Sequence, residues 1–215
     1  MIGFAGQISV LSGINKSGLC VFLHMLSDYE EKNIPLPIKP FEPLSFTLRR
    51  AIERKDYNND GKNNIEDVKS ALNENKQGYA EGFIVTMLGP TQKTDSLTAA
   101  VAELTPTPPY IVYRSNNDED MLNGCNLYAA NSSIKRLNKR NYCKRYSAVS
   151  QAVGAGLNMS SSKCWAIMKK YSRLTNNIQF IQYVPQQKIL RLSIYRHGHP
   201  ASENKPQVFY LKNIF

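Results

Sequence analysis

The sequence has no apolar run long enough to cross a membrane. Its longest strongly apolar stretch, residues 19–26, is interrupted by His24 and is far shorter than the ~20 residues that a membrane-spanning helix needs. The first residues also lack the basic stretch and apolar core that make a secretory signal. The sequence therefore predicts either a cytosolic protein or one whose true start lies upstream of Met1.

The motifs of several common catalytic classes are missing as well. There is no glycine-rich phosphate loop, no G-x-S-x-G and no H-E-x-x-H. The four cysteines contain no C-x-x-C pair, which argues against a zinc site and against a thioredoxin-like dithiol. His197 and His199 lie in a loop with Gly198 and Pro200, and a solvated loop explains them better than a metal site.

Composition and charge indicate a globular, basic chain. With 215 residues, 42% of them hydrophobic, the chain can form one domain with a substantial core or at most two small ones. A net charge of +10 favours anionic partners. The densest basic cluster is best explained as a solvated face. Nucleic acid is a disfavoured partner because interleaved aromatic residues are missing. An anionic membrane surface stays open as a partner. The spacing would place several of the following side chains along one face of a helix: Lys135, Arg136, Lys139, Arg140, Lys144 and Arg145.

Hydrophobic spacing and turn residues predict a mixed α+β fold. Residues 8–11 and 19–26 are predicted to form a hairpin, and Ser45 is predicted to cap a first helix. Further helices are expected at residues 65–75, 138–153 and around Trp165, the last with Ser161 or Ser162 as its cap. Further strands are expected at residues 82–87, 98–104, 110–114, 127–130, 178–184 and 189–195.

Residues 56–67 have the spacing of an EF-hand calcium loop and lie between two predicted helices. In such a loop, side-chain oxygens at the first, third and fifth positions point inward, and a glycine at the sixth position makes the sharp turn. Gly61 occupies that sixth position. The sequence predicts a bound Ca²⁺ that stabilises the fold rather than signals, because a lone loop lacks a paired partner. The predicted ligands are Asp56, Asn58, Asp60, the Lys62 carbonyl, Asn64 through water, and Asp67.

Two positions of this loop depart from the usual pattern. Asn63 stands at the eighth position, where a branched apolar residue is usual, and Asp67 stands at the twelfth instead of glutamate. The loop resembles those of dockerin modules, in which aspartate is common at the last position. A dockerin module ordinarily carries two such loops. The alternative is a polar connector whose Asp, Asn and Gly residues serve the turn alone.

Short motifs follow one another along nearly the whole chain. The first is the G-x-N-x-x-G-L turn of residues 13–19, set between two predicted strands. The others are the L-R-R-A helix and its successor (46–72), a strand pair of the type vEltP…vyR (99–113), Ala-Ala-Asn (129–131), Cys-Lys-Arg-Tyr (143–146), closing strands (178–195) and a terminal dL..lF pattern (209–215). In this order the chain resembles the cysteine N-terminal-nucleophile hydrolases, the group of penicillin acyltransferases, choloylglycine hydrolases and acid ceramidase.

The resemblance implies a fold and a chemistry. The fold would be a four-layer αββα sandwich, formed here by a single domain over residues 1–215 that is incomplete at its N-terminus. Residues 45–76 would be an inserted helix–calcium loop–helix within this domain. In that family an N-terminal cysteine attacks a linear amide, and its own α-amino group is the base. By the same resemblance, Asn131 would donate to the oxyanion and Arg145 would hold the nucleophile end of the site.

The resemblance also implies that the nucleophile lies upstream of these residues. Cys20 follows the G-x-N turn inside a predicted strand, so it has no free α-amino group and cannot replace it. The chain is therefore expected to be the C-terminal portion of an N-acyl amidohydrolase or acyltransferase, inactive without an N-terminal segment or subunit. An N-acyl amide or lipid-like substrate and an exported or lysosome-like setting would follow. The alternative is a non-enzymatic calcium-binding module that uses its basic face on anionic lipid or nucleic acid.

Overall fold

The computed structural model describes residue 2 and residues 7–26, 41–90, 97–115, 122–137, 143–157, 159–171 and 177–215. The chain divides into two compact units. The first comprises Met1–Met121 and Cys125–Cys143, and the second comprises Leu122–Gly124 and Lys144–Phe215. Each unit combines helices with one antiparallel sheet, so the predicted α+β class is confirmed.

The first unit is built on a five-stranded antiparallel sheet. Its strands are neighbours in the order in which they occur in the chain, so each pairs with the next. Most of the connections are short, but residues 26–82 separate the second strand from the third and include the helices described below. The strands are β1 (Ser12–Ile14), β2 (Cys20–Met25), β3 (Phe83–Pro90), β4 (Leu97–Leu104) and β5 (Ile111–Ser115).

Two helices cover one face of this sheet, α1 (Leu44–Glu53) and α2 (Ile65–Asn73). Apolar residues recur at helical spacing on both, and that stripe is buried against alternate residues of the strands. The opposite face carries a smaller apolar cluster and a buried ion pair between Glu103 and Arg114. The main cluster includes Leu48, Ala51, Val68, Leu72, Val85, Met87, Ala100 and Ala102.

The second unit has helices α3 (Lys144–Val153) and α4 (Ser161–Tyr171) and a three-stranded antiparallel sheet. Trp165 of α4 packs on Phe180 with ring centroids 4.2 Å apart, and Gln182 Nε2 donates a hydrogen bond to the Ser161 carbonyl at 2.6 Å. These contacts fix α4 against one face of the sheet. The strands are β6 (Gln179–Val184), β7 (Ile189–Ile194) and β8 (Gln207–Tyr210).

Most predicted elements are present, but the first hairpin is displaced. The strand predicted at residues 8–11 is wrong, because β1 is Ser12–Ile14 and pairs with residues 20–22. The side chain of Asn15 closes a tight turn between the two strands, so that β1 ends at Ile14, directly before it. Asn15 Oδ1 accepts hydrogen bonds from the backbone nitrogens of Ser17 at 3.0 Å and Leu19 at 3.1 Å.

Two other strand predictions need correction. Residues 127–130 form no strand, because the Tyr128 carbonyl accepts a hydrogen bond from the Arg114 guanidinium rather than from a neighbouring strand. The sequence patterns do not predict β8, which is a short edge strand with mostly exposed side chains.

The predicted helix starts are also partly wrong. Ser45 lies inside α1, whose cap is Pro43 without a side-chain hydrogen bond. The capping hydroxyl of α4 belongs to Ser160, which accepts from the Lys163 nitrogen at 3.1 Å. Of the basic helix predicted at residues 138–153, α3 accounts for Lys144–Val153, and residues 138–142, including Lys139 and Arg140, lie outside the described residues.

Candidate catalytic loop and calcium loop

Asn131 lies in a loop of the first unit, residues 127–136, which we call the Asn131 loop. Its side-chain Nδ2 donates a hydrogen bond to the carbonyl oxygen of Met25, the last residue of β2, at 2.7 Å. This bond sets which end of the amide points towards the strand, because only the nitrogen end can donate. The predicted oxyanion donor is therefore fixed at the end of a sheet strand.

A buried ion pair lies beneath the Asn131 loop. Glu103 of β4 and Arg114 of β5 are both fully buried, with Arg114 Nε 3.2 Å from Glu103 Oε1. The Glu103 carboxylate also accepts hydrogen bonds from three consecutive backbone nitrogens, of Ile134 and Arg136 at 3.0 Å and of Lys135 at 3.1 Å. Glu103 therefore binds the backbone of residues 134–136 as well as the guanidinium of Arg114.

Arg114 reaches the other end of the same loop. Its Nη2 donates to the Tyr128 carbonyl at 2.7 Å. Sequence reasoning assigns no role to Glu103 or Arg114. The available signal is that each is a lone charged residue in an otherwise apolar strand, and such residues are rarely buried unless they are paired.

Arg145, the other predicted catalytic residue, lies in the first turn of α3 in the second unit and is partly buried. Asn131 belongs to the first unit. The predicted basic face is also divided between the units: Lys135 and Arg136 lie in the turn bound by Glu103, whereas Lys144 and Arg145 lie on α3. Because Glu103 holds residues 134–136 in a turn, Lys135 and Arg136 do not belong to a helical face.

The G-x-N-x-x-G-L turn has a structural role in this fold. Besides its bonds within the turn, Asn15 donates through Nδ2 to the Ile52 carbonyl at 3.0 Å and to Asn63 Oδ1 at 2.5 Å. Gly13 packs so closely on α1 that a Cβ there would overlap Ile52 Cδ1. Gly18 has a φ of 88°, which favours glycine. The motif therefore joins the first hairpin to the helices.

The predicted calcium loop, residues 56–67, is folded by hydrogen bonds among its own residues. Asp56 accepts through Oδ1 from the Asp60 nitrogen at 2.9 Å and through Oδ2 from the Gly61 nitrogen at 2.8 Å. Asn58 Oδ1 accepts from the Asp60 nitrogen at 3.1 Å. Asp60 Oδ1 accepts from the Lys62 nitrogen at 2.9 Å, and Gly61 has a φ of 83°. These contacts curl the polar side chains around the turn.

The last predicted ligands, Asn64 and Asp67, form the N-terminal cap of α2. Asn64, only 2% exposed, accepts through Oδ1 from the Glu66 nitrogen at 2.7 Å. Asp67 is fully buried; its Oδ2 accepts from the Asn64 nitrogen at 2.7 Å and its Oδ1 from the Tyr57 nitrogen at 2.6 Å. This reciprocal arrangement is a capping box. Asp67 thus joins the entry of the loop to the exiting helix.

Asn63 explains one departure of the loop from the usual pattern. Its Oδ1 accepts from Asn15, and its Nδ2 donates to the Arg54 carbonyl at 3.0 Å. An apolar residue at this position could make neither bond. Asn63 therefore braces the loop against the first hairpin by hydrogen bonds, where an EF-hand uses apolar packing.

The loop offers an all-oxygen donor set, which suits a hard cation such as Ca²⁺. Asp56, Asn58, Asp60 and the Lys62 carbonyl lie on its accessible part, whereas Asp67 is fully buried. Asp56 and Asp67 each accept backbone hydrogen bonds through both carboxylate oxygens. In the part of the chain that the structure describes, no three His, Cys, Asp or Glu side chains form a group that could hold a metal ion. A cation in this loop would be reached by the first four residues, and it would have to share the carboxylates of Asp56 and Asp67 with their backbone hydrogen bonds.

Cys20 is fully buried in β2, and this burial raises the pKa of its thiol to about 12. A thiol that is fully buried and has such a pKa offers almost no thiolate at neutral pH, which disfavours Cys20 as a nucleophile. This agrees with the position of Cys20 after the G-x-N turn.

The histidine loop is exposed. His197 and His199 lie in a turn in which the backbone of Arg196 pairs with that of His199, and His199 Nδ1 lies 3.3 Å from Glu203 Oε2.

No helix in the described ranges is long and apolar enough to span a bilayer.

Comparison with protein-family models, with curated proteins and with solved structures gave no match for this chain.

Proposed function

We propose that these residues form the C-terminal portion of a cysteine N-terminal-nucleophile amidohydrolase or acyltransferase that acts on N-acyl amide bonds. The observation that carries the proposal is the placement of Asn131, whose amide is held at the end of β2 above a buried ion pair. The nucleophilic cysteine would come from an upstream segment or a separate subunit. An N-acyl amide or lipid-like small molecule would be the substrate.

The architecture of each unit supports this proposal. Four of the motifs that carry the resemblance, at residues 13–19, 46–72, 99–113 and 129–131, fall within the first unit. Its sheet has two helices on one face, and the second unit also combines two helices with an antiparallel sheet. Each unit thus has the composition of one half of a four-layer αββα sandwich, and that finer arrangement is part of the proposal.

In the proposed reaction, the cysteine sulfur attacks the amide carbonyl while the α-amino group of the same residue accepts the thiol proton. The C–N bond then breaks, the amine leaves with that proton, and water or an acceptor amine takes the acyl group and releases the cysteine thiol. Asn131 donates an N–H to the carbonyl oxygen as that oxygen gains negative charge. A donor of this kind contributes about 3 to 4 kcal/mol to transition-state stabilisation. Arg145 holds the nucleophile end of the site through its charge and its forked hydrogen-bond donors.

The test is turnover of fluorogenic N-acyl amides by protein purified from its native source. Asn131→Ala should lower kcat by about 10² to 10³ with little change in KM, because the oxyanion donor acts only in the transition state. Arg145→Ala should abolish turnover. The matched controls are Ser132→Ala and Lys144→Ala, the adjacent residues. Normal activity in both the Asn131 and Arg145 variants would contradict the site assignment.

A second proposal is that the calcium loop binds Ca²⁺ in a stabilising role. Its support is that Asp56, Asn58 and Asp60 are already curled around the turn at Gly61. Calorimetry with millimolar Ca²⁺ should show binding heat, and Ca²⁺ should raise the Tm, whereas Asp60→Ala should lose both effects. The absence of heat and of a Tm shift in the unaltered protein would refute this proposal.

The alternative function is a calcium-dependent module that binds an anionic surface. The salt dependence of binding distinguishes this module from the proposed enzyme. Binding to anionic vesicles or nucleic acid that weakens steeply with added salt would favour that module. Hydrolysis of an N-acyl amide would favour the enzyme. The division of the basic cluster between a turn and a helix gives the module less structural support.

A further inference from the structure

We propose that Glu103 and Arg114 are positioning residues that hold Asn131 in place for the proposed reaction. The inference rests on the proposed function, because it gives the buried ion pair a role through Asn131. Neither residue is expected to touch substrate, since both side chains are fully buried.

The first part of the argument is how Glu103 binds the backbone. Its carboxylate accepts hydrogen bonds from the nitrogens of Ile134, Lys135 and Arg136, three residues in succession. Bonds from N–H groups to a carboxylate are stronger than those to a neutral acceptor. The C-terminal end of the Asn131 loop is therefore fixed to β4 by one side chain. Arg136 adds a bond from its guanidinium to the Pro109 carbonyl.

The second part is that Arg114 fixes the other end. Arg114 binds Glu103 through Nε and the Tyr128 carbonyl through Nη2. Asn131 lies between Tyr128 and Ile134, three residues from each. The loop is thus held at both ends by one ion pair on adjacent strands, and at its centre by the bond from Asn131 to Met25.

The third part of the argument is that burying this ion pair costs free energy, which suggests that the pair has a role beyond stability. A buried carboxylate and guanidinium lose their hydration, and an apolar pair of similar volume often gives equal or greater stability. What an apolar pair cannot do is accept three backbone N–H groups and donate to a carbonyl. A displacement of about 1 Å at a reacting group can cost about 10²-fold in rate, so fixing the loop backbone has a catalytic consequence.

The test combines a conservative variant with a double-mutant cycle. Glu103→Gln keeps the side-chain shape but turns an NH₂ group towards the backbone donors, and it should lower kcat by about 10²-fold with KM nearly unchanged. In an Asn131→Ala background the same change should lower kcat no further, since Glu103 acts through Asn131. Glu81→Gln, an exposed glutamate of the same unit, is the matched control and should leave kcat unaltered.

A second variant and a second readout cover the case in which Glu103→Gln does not fold. Arg114→Lys keeps the charge beside Glu103 but has no forked donor to bind both Glu103 and the Tyr128 carbonyl. It should also lower kcat only when Asn131 is present. Amide hydrogen exchange at residues 134–136 should become about tenfold faster in Glu103→Gln, without wider loss of protection.

The outcomes separate the two proposals. No turnover by the unaltered native protein would overturn the proposed function and the positioning role together, and unchanged exchange at residues 134–136 would overturn the anchoring of the loop independently of activity. Equal losses of kcat with and without Asn131 would show that the ion pair only stabilises the fold. A loss confined to proteins that contain Asn131, with faster exchange in the loop, is the result expected.

Discussion

Replacement of Asp67 by alanine should destabilise the protein strongly even when no calcium is present. The Asp67 carboxylate is fully buried and accepts from the backbone nitrogens of Tyr57 at 2.6 Å and Asn64 at 2.7 Å. Alanine leaves both donors without this acceptor. Each buried donor left unsatisfied costs about 1 to 3 kcal/mol, so we expect a loss of about 4 kcal/mol. That is a large part of the ~5 to 15 kcal/mol that usually stabilises a folded protein.

Asp56→Ala is the matched control, because it removes an aspartate from the other end of the same loop. The bonds that Asp56 accepts lie in an exposed part of the loop, where water can replace the lost acceptor. Its loss should cost only about 1 kcal/mol without calcium. Added Ca²⁺ should stabilise the unaltered protein but not this variant, so the difference between them should grow.

The assay is equilibrium unfolding in urea, with EDTA or with millimolar Ca²⁺, on Asp67→Ala, Asp56→Ala and the unaltered protein. The free energy of unfolding in EDTA should fall much more for Asp67→Ala than for Asp56→Ala, with similar m-values. Equal losses in EDTA would refute the conclusion that the capping carboxylate of Asp67, rather than a metal, holds the loop to α2.

Three further predictions follow from single contacts. Gly13→Ala should lower stability by about 1 to 3 kcal/mol because its Cβ overlaps Ile52 Cδ1, and adding Ile52→Val should restore part of the Tm; no loss in Gly13→Ala would contradict this packing. Cys20 should resist alkylation in the native protein at pH 8 and react after urea unfolding, given its burial and a thiol pKa of about 12; rapid native labelling would contradict it. Partial burial of the Glu42 carboxyl would raise its pKa, but hydrogen bonds from Thr47 and Arg50 outweigh this and lower it. Glu42→Gln should therefore cost about 0.5 kcal/mol at pH 7, and the difference should vanish well below the ordinary pKa of 4.5; a constant difference would refute the ion pair.

The elements that the sequence predicts well are those set by local spacing. The apolar stripes of α1 and α2 recur every three or four residues, and β3, β4 and β5 have short β-rich runs, so each is found within a few residues of its predicted place. The calcium-loop spacing likewise predicts the turn at Gly61, which the backbone adopts with a φ of 83°.

The features that sequence patterns miss depend on residues far apart in the chain. Asn15 binds Asn63 across 48 positions, and Glu103 binds residues 134–136 across 31 to 33 positions. The basic cluster illustrates the consequence: its charge spacing is helical, but the buried carboxylate of Glu103 holds Lys135 and Arg136 in a turn. Local periodicity cannot reveal such a bond, because tertiary contacts override it.

The central claim, that these residues belong to a cysteine N-terminal-nucleophile amidohydrolase, is tested most directly by trapping the acyl-enzyme. Protein from its native source should be mixed with a slowly hydrolysed N-acyl substrate, quenched in acid and mapped by mass spectrometry. We predict an acyl group on a peptide that begins with cysteine, in the same chain or in an associated one, and loss of that label in Asn131→Ala. Absence of any acylated cysteine and of turnover across N-acyl amides of varied chain length would contradict the claim.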